Sequence, residues 1–353
     1  MLKYLSVLKN VLLKPEKIPE KPPYIQLEPT TYCNLRCQMC LRQFHPVEQK
    51  HMGLEDFKKI MDLIEPKKIA MSGEGEPFLN PEVTDMFAYA KSKGASVLTT
   101  SNFSTVEKEL AEKIVESGID LIKVSIDAST PETYKTIRGM DCFDKVLESI
   151  DLVNRVKRKK DKNTPEFRFQ YVLQKENIEE IGRLFHIAHE HHVSVINFQL
   201  LGAPQNKEEV MALWGEMTKD KLGKTLENAR QLEKKTGVVS NATYLVRRLD
   251  RYWDHMMSSD PHEEFKYKCN IIWFSANIRV DGTLNPCCSF SSTNADMGNI
   301  LEQPWEEVWN SEKFRSFRRT LKEGKRPCEE CVNCVPSTMR ELFAGTRYLP
   351  QFL

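Results

Sequence analysis

No run of apolar residues in this chain approaches the roughly 20 needed to span a bilayer. Met1 to Leu13 carries leucines and lysines, but it has no uninterrupted apolar core and no small-residue cleavage site, so it does not read as a secretory signal. Surplus charge is missing as well. The 51 Lys and Arg nearly cancel the 50 Asp and Glu, for a net +1, which gives no reason to expect nucleic acid as a partner. No internal repeat stands out. What remains is a 353-residue chain with 40% hydrophobic and 29% charged residues, long enough for a large domain and a smaller one without disulfide staples. The expected address is the cytoplasm. In that reducing compartment ten cysteines are not expected to pair as disulfides.

Their placement matters more than their number. Cys33, Cys37 and Cys40 form one tight group, Cys142 stands alone, and six lie between Cys269 and Cys334. Two clusters far apart in sequence suggest two metal sites. Between them, strand-like and helix-like segments alternate. Tyr24–Pro29, Lys67–Ser72, Ser96–Ser101, Leu121–Asp127, Phe167–Gln174 and Val193–Leu201 read as strands. Leu54, Phe57, Met61 and Ile64 fall at helical spacing, as do Ile178, Ile181, Leu184, Phe185 and Ala188. Asn80 with Pro81, Ser104 with Glu107, and Ser129 with Glu132 predict helix starts, and Gly94 and Gly118 predict stops.

Six such units in succession predict an α/β fold, a partial (β/α)6 TIM-like barrel or an open parallel sheet. Helices lie outside, and functional loops sit at the C-terminal ends of the strands. The expected division is an N-terminal amphipathic segment and linker (1–23), the barrel (24–202), a helical bridge (203–264), a small cysteine-rich domain (265–336) and a tail (337–353).

The first cysteine group, Cys33-Asn-Leu-Arg-Cys37-Gln-Met-Cys40, follows the first strand directly. Three thiolates can hold three corners of an iron–sulfur cubane and leave one iron open for a small molecule. The alternative is a zinc knuckle, which needs four ligands, with His45 the only nearby supplement. The CxxxCxxC spacing after a first strand resembles the radical S-adenosylmethionine (SAM) superfamily. That resemblance implies a [4Fe–4S] cluster whose open iron is chelated by SAM, and reductive cleavage of SAM to a 5′-deoxyadenosyl radical. Met39 stands where the family is often aromatic; a thioether can still pack on adenine.

Ser72-Gly73-Glu74-Gly75-Glu76-Pro77, after the second strand, resembles the family's GGEP motif, with Glu74 in place of its first glycine. Glycine lets a backbone approach a ligand closely. Read alone, the segment is an ordinary strand–helix turn. The resemblance implies SAM contacts from Met39, Gly73, Glu74, Gly75, Glu76 and Pro77, from Ser101 and Asn102 after the third strand, and from Ser125 and Asp127 after the fourth. Strand-end turn chemistry is the competing reading. Arg138 is a bidentate carboxylate partner or a surface arginine, and Phe198 to Leu200 either floor the adenine pocket or pack in the core.

Towards the C-terminus, Asp281-Gly282 between β-rich runs predicts a hairpin that returns Cys287 towards Cys269. An amphipathic stretch with Trp305, Val308, Trp309, Phe314 and Phe317 then leads to Cys328-Glu-Glu-Cys331-Val-Asn-Cys334. A zinc ribbon would show similar spacing. The run resembles the SPASM/Twitch extension of radical SAM enzymes, which carries auxiliary clusters. With no cysteine after Cys334, one auxiliary [4Fe–4S] cluster is expected on Cys269, Cys287 and two of Cys328, Cys331 and Cys334, the first two preferred. Cys142 reads as an inert thiol, and Cys288 has no assigned role.

The resemblance thus implies an enzyme that abstracts a substrate hydrogen, fed by a reductant such as flavodoxin or ferredoxin, with the auxiliary cluster serving substrate binding or electron transfer. Only 23 residues precede the first strand, too few for a peptide-recognition domain. The expected substrate is therefore a small molecule, sugar, lipid or cofactor precursor. The alternatives are a peptide maturase with a separate recognition partner, and a non-catalytic iron–sulfur scaffold or electron carrier. Leu2 to Leu13 either packs on the barrel or lies on a membrane surface.

Overall fold

The computed structural model describes residues 2–43, 47–201, 212–257, 269–288, 296–328 and 331. After helix α1 (Leu2–Leu13), six β/α units follow one another. Their strands are β1 (Tyr24–Leu27), β2 (Lys68–Met71), β3 (Ser96–Ser101), β4 (Leu121–Ser125), β5 (Glu166–Leu173) and β6 (Val195–Leu200). Between them run α2 (Leu54–Ile64), α3 (Val83–Ser92), α4 (Lys108–Ser117), the pair α5 (Pro131–Arg138) and α6 (Phe143–Lys159), and α7 (Ile181–Glu190). Two long helices, α8 (Lys219–Thr236) and α9 (Ala242–Met257), flank the two-residue strand β7 (Val239–Ser240). The C-terminal part supplies β8 (Ser275–Ile278), β9 (Leu284–Asn285), α10 (Trp305–Trp309) and α11 (Glu312–Lys322).

The nine strands of the described residues form one unclosed sheet in the order β7-β6-β5-β4-β3-β2-β1-β8-β9. Every pairing is parallel except that of β8 with β9. The chain thus has the α/β, partial-barrel character that the alternating pattern predicts. Two features go beyond it. The bridge contributes β7 to the edge beside β6, and β8 of the cysteine-rich region pairs with β1, so one sheet runs through both expected domains.

Alternation along each strand divides the sheet into two unlike faces. Ile25, Leu27, Ile69, Met71, Val97, Ile122, Val124, Phe169 and Ile196 are fully buried beneath the helices. Each such side chain contributes roughly 1.5–3 kcal/mol by leaving water. The alternate positions face the concave side and are mostly polar: Gln26, Lys68, Thr100, Lys123, Arg168, Gln170, Asn197 and Gln199. Only Tyr24, Ala70, Leu98 and Leu121 make a small apolar cluster there. A solvated-looking sequence position is therefore often a lumen position.

Tertiary bonds compete with capping for the side chains expected at helix starts. Asn80 does both jobs: its Oδ1 accepts from the Glu82 amide (2.9 Å) in the turn that enters α3, and its amide nitrogen donates to the carbonyls of Pro29 (2.7 Å) and Met52 (2.9 Å), stapling the exit of β1 to the entry of α2. Ser104 bonds to Asn34 and Asn102, so no capping box forms at α4. Thr130, and not Ser129, caps α5 through the Thr133 amide, while Ser129 is held by Glu180.

The N-terminal segment ties to the C-terminal region. The Pro15 carbonyl accepts from the Trp273 indole (3.0 Å), the Glu16 carbonyl accepts from Arg318 (2.9 Å), and Ile18 exchanges two hydrogen bonds with Asn310. Arg318 is fully buried over the Trp309 ring, and burial lowers its pKa to about 9. These contacts anchor the connector after α1; within α1 Val11 is buried, whereas Leu8, Leu12 and Leu13 are exposed. Among the described residues, no helix is long and apolar enough to cross a membrane.

Candidate active site

Parallel strands place their following loops at one end of the sheet, and all three motifs of the expected SAM site meet there. The cysteine loop is bolted down on two sides. On one side the amides of Arg36 and Gln38 donate to the carbonyls of Arg138 (3.3 Å) and Ile137 (2.9 Å) at the end of α5. Gly139 follows in the left-handed conformation (φ 76°), where an added Cβ would come within 2.8 Å of the Arg36 carbonyl oxygen. On the other side the Glu76 amide donates to the Tyr32 carbonyl (2.7 Å), and Arg42 bridges the carbonyls of Thr31 and Glu74.

Cys37 is buried, and Cys33 and Cys40 are half-buried. Cys37 and Cys40 line a cavity of about 240 Å³ together with Met39, Thr100, Ser125, Asp127, Arg138, Gln170, Val172 and Gln199. Burial pushes the Cys33 and Cys40 thiols up, and the Cys37 charge adds to it in each case. Among the described residues, no three His, Cys, Asp or Glu side chains converge tightly enough to hold a single metal ion. His45, the fourth ligand that a zinc knuckle would need, lies outside the described residues.

Arg138 joins the cavity to the cysteine loop. Its Nη2 pairs with Asp127 Oδ2 (2.6 Å) and its Nη1 donates to Cys37 Sγ (3.3 Å). Burial works against the Arg138 charge, but Asp127, Cys37 and Tyr134 hold its pKa above the ordinary value. Asp127, at φ 47°, also accepts from the Val172 amide (2.6 Å), and its own carbonyl accepts from Asn177 (2.9 Å). Burial pushes its carboxyl up, against the pull of Arg138 and that amide. A charged arginine beside a thiolate stabilises negative charge there.

The other residues singled out from the sequence do not line this cavity. Glu76 is a buried hub: Oε1 accepts from Ser101 Oγ (2.7 Å) and Phe78 N (3.2 Å), and Oε2 accepts from Asn102 N (2.6 Å). Burial pushes its carboxyl up, while those three donors pull it down. Asn102 Nδ2 donates to Asn34 Oδ1 (2.9 Å) inside the cysteine loop. Pro77 opens a single 3-10 turn (Pro77–Leu79) that Glu76 caps. The Glu74 carbonyl is taken by Arg42, and its amide donates to Glu28 Oε1 (2.7 Å). Cβ atoms on Gly73 and Gly75 would strike the Glu28 side chain (2.4 Å) and the Thr30 carbonyl oxygen (2.2 Å). Here the glycines are required by strand-end packing within the protein. Phe198 packs on Tyr171 and Phe185 on the helix side, so the neighbouring Gln199 reaches the cavity.

Glu28 links the ends of three strands, since its second oxygen also accepts from Val280 N (3.4 Å). Burial raises its pKa to about 7, with Glu74 adding to the shift. Between pH 4.5 and 7 the folded protein holds a proton that the unfolded chain has lost, so stability falls as pH rises through that window. Thermal melts from pH 5 to 7.5 at constant cluster content are expected to show this decline, and Glu28→Gln to flatten it.

The second cysteine set lies at the opposite end of the sheet. Cys269 precedes β8, which runs parallel to β1, and Cys287 follows the returning β9. Cys328 and Cys331 approach to 3.4 Å. The Cys331 thiol is pushed far up by its bond to Cys328, by burial, and by the charges of Cys328, Cys287 and Cys269. Three thiols close enough to raise the pKa of a fourth make a donor set suited to a cationic centre such as a cluster. Cys334 lies outside the described residues. Cys142 is half-buried, with its sulfur 3.7 Å from the Tyr134 hydroxyl.

A three-thiol loop and a four-thiol set thus lie at opposite ends of one partial barrel. The sequence matches the family model of the radical SAM superfamily over residues 27–188 and that of the SPASM iron–sulfur cluster-binding domain over 269–335. The chain belongs to the radical SAM superfamily and carries a C-terminal SPASM domain. It is similar to an AdoMet-dependent heme synthase of Methanosarcina barkeri, at 26% identity over 94% of this chain and 95% of the relative. It is also similar to the tungsten-containing aldehyde ferredoxin oxidoreductase cofactor-modifying protein of Pyrococcus furiosus, at 25% identity over 88% and 86%. In fold it resembles Streptococcus suis SuiB bound to the precursor peptide SuiA, with TM-score 0.67 and 15% identity over 97% of this chain and 77% of SuiB. The protein is therefore a SAM-dependent enzyme whose cofactors are a [4Fe–4S] cluster, SAM and auxiliary iron–sulfur.

Proposed function

We propose that this enzyme abstracts a hydrogen atom from a small-molecule cofactor precursor bound in the barrel between its two cysteine sets. When bound and reduced by an external donor such as flavodoxin or ferredoxin, the [4Fe–4S] cluster would supply the electron that cleaves SAM to methionine and a 5′-deoxyadenosyl radical. Cys33, Cys37 and Cys40 hold that cluster, and Arg138 fixes Cys37 while Asp127 fixes Arg138. Met39, Ser125 and the Asp127–Arg138 pair receive SAM; Glu76, Ser101 and Asn102 act one layer back, holding the cysteine loop in register. Cys269, Cys287, Cys328 and Cys331 hold the auxiliary cluster on the substrate side. The observation that carries this reading is the polar concave face, which runs from the cavity beside Cys37 and Cys40 towards the end where the second set lies. Two relatives named for cofactor chemistry, similar over nearly their whole length, support a cofactor precursor over a peptide.

Deuterium transfer tests it. Reduced holoenzyme and SAM are incubated with extract from cells grown in heavy water, split into low-molecular-mass and peptide fractions. Deuterated 5′-deoxyadenosine from the low-mass fraction is expected. Label from the peptide fraction alone would replace this reading with a peptide maturase, and no label from either would overturn hydrogen abstraction.

A further inference from the structure

Lys123 on β4 lies in register between Thr100 of β3 and Arg168 of β5, on the concave face. Two residues further along the same strands, Ser125 and Gln170 line the cavity beside Cys37 and Cys40. Lys123 and Arg168 therefore form the side-chain layer beneath the cavity, and Lys68 of β2, in register with Ser96, lies lower, past Ala70, Leu98 and Leu121. Lys123 is only 2% exposed, and among the described residues it has no hydrogen bond and no ion pair. The groups around it do not compensate its charge. Burial, with repulsion from Lys68 and Arg168, lowers its pKa to about 7. Glu166 is largely exposed and pairs with Arg168 (3.2 Å). Asp120 is held by Lys91 (2.7 Å) and the Val97 amide, and Tyr24, a neighbour of Lys68 on β1, keeps its proton because burial pushes its pKa up. Two buried atoms in these layers, Arg168 Nε and Gln170 Oε1, lack partners among the described residues.

A buried ammonium without an ion pair is costly, and apolar residues fill the other face of this sheet without such cost. Lys123, which has no carboxylate partner among the described residues and sits beside Arg168, whose Nε is left without a partner there, is complementary to an anion from outside. We propose that the substrate carries a carboxylate or phosphate, received by Lys123 and Arg168 beneath the cavity, and a hydrogen-bond donor that meets Gln170. This deepens the preceding reading and rests on it, since it takes the lumen to be where the substrate binds. Anchored by its anionic end, the molecule presents its uncharged part towards the Cys37 and Cys40 end.

The test uses the reconstituted full-length holoenzyme with SAM, and titration calorimetry at pH 8 in two buffers of different ionisation enthalpy. Citrate and inorganic pyrophosphate are the probes, and glycerol the uncharged control. At that pH most Lys123 amines are neutral, so anion binding should take up close to one proton from solution. Lys123→Met should weaken binding roughly tenfold or more and abolish the uptake. Lys123→Arg should bind the anion without uptake, because its guanidinium is already charged, and it shows that loss in the methionine variant is not misfolding. Preference for citrate assigns a carboxylate, and preference for pyrophosphate a phosphate. Failure of both anions to bind the wild type, or equal binding by wild type and Lys123→Met, would overturn the proposal. So would a Lys123→Met effect confined to the auxiliary cluster's midpoint potential. Formation of 5′-deoxyadenosine by the wild-type sample, measured alongside, reports separately on the radical SAM reading: its absence would overturn that reading whatever the anion result.

Discussion

Replacing Cys33, Cys37 and Cys40 together by alanine is expected to remove half of the iron and all reductive cleavage of SAM. Two four-iron clusters give about eight irons in the anaerobically reconstituted protein, so the variant should retain roughly four. The loop itself should survive, because it is held by backbone bonds to Arg138 and Ile137 and by the Glu76 amide, none of which uses a sulfur. Iron analysis and chromatography for 5′-deoxyadenosine check the two halves of this result. A triple variant that still cleaves SAM would place the open iron elsewhere.

Gly75→Val is expected to cost the same cluster, though it touches no ligand. An added Cβ would sit 2.2 Å from the Thr30 carbonyl oxygen and 2.7 Å from that of Tyr32, both backbone atoms of the segment entering the cysteine loop. No rotamer relieves a clash at Cβ, so the segment must shift, and overpacking of this kind costs about 1–3 kcal/mol or more. Even Gly75→Ala should lower iron loading. Gly53→Ala serves as the control, since nothing lies within 4 Å of its Cβ. Iron content and the visible absorbance of the reconstituted proteins decide. Full loading in Gly75→Val, with weakened SAM binding alone, would return the glycine to the ligand-facing role that its motif implies.

That difference shows where the sequence is legible. Strand and helix alternation, the thiol spacing and the Asp281-Gly282 hairpin are local patterns, and the folded chain carries all of them. The division of labour within the motif is not local. Glu76, Ser101 and Asn102 sit at strand ends as expected, yet they bond to one another and to the cysteine loop, through partners separated by up to 68 residues. Thr100 and Gln170 do not stand out because a polar residue in a strand reads as solvated until the sheet curls around it, and Val172 because an apolar strand residue reads as core; Gln199 falls within the Phe198 to Leu200 stretch that the sequence offered for the adenine pocket. Strand parity was the signal available: Gln170 shares a face with Arg168 and Val172, and Gln199 faces away from the buried Phe198. β7 was hidden by its length, since two residues carry no periodicity. The strap from Pro15 to Ile18 had no motif at all; its bonds reach Trp273, Asn310 and Arg318 across the whole chain.

The central claim is that the three-thiol loop holds a cluster with an iron open to SAM. Electron–nuclear double resonance on the reduced holoenzyme, with SAM labelled by 15N at its amino group and 17O at its carboxylate, addresses it directly. The account predicts hyperfine coupling from both labels, lost in the Cys33, Cys37 and Cys40 triple variant. A reduced cluster with bound SAM and no coupling to either label would contradict it.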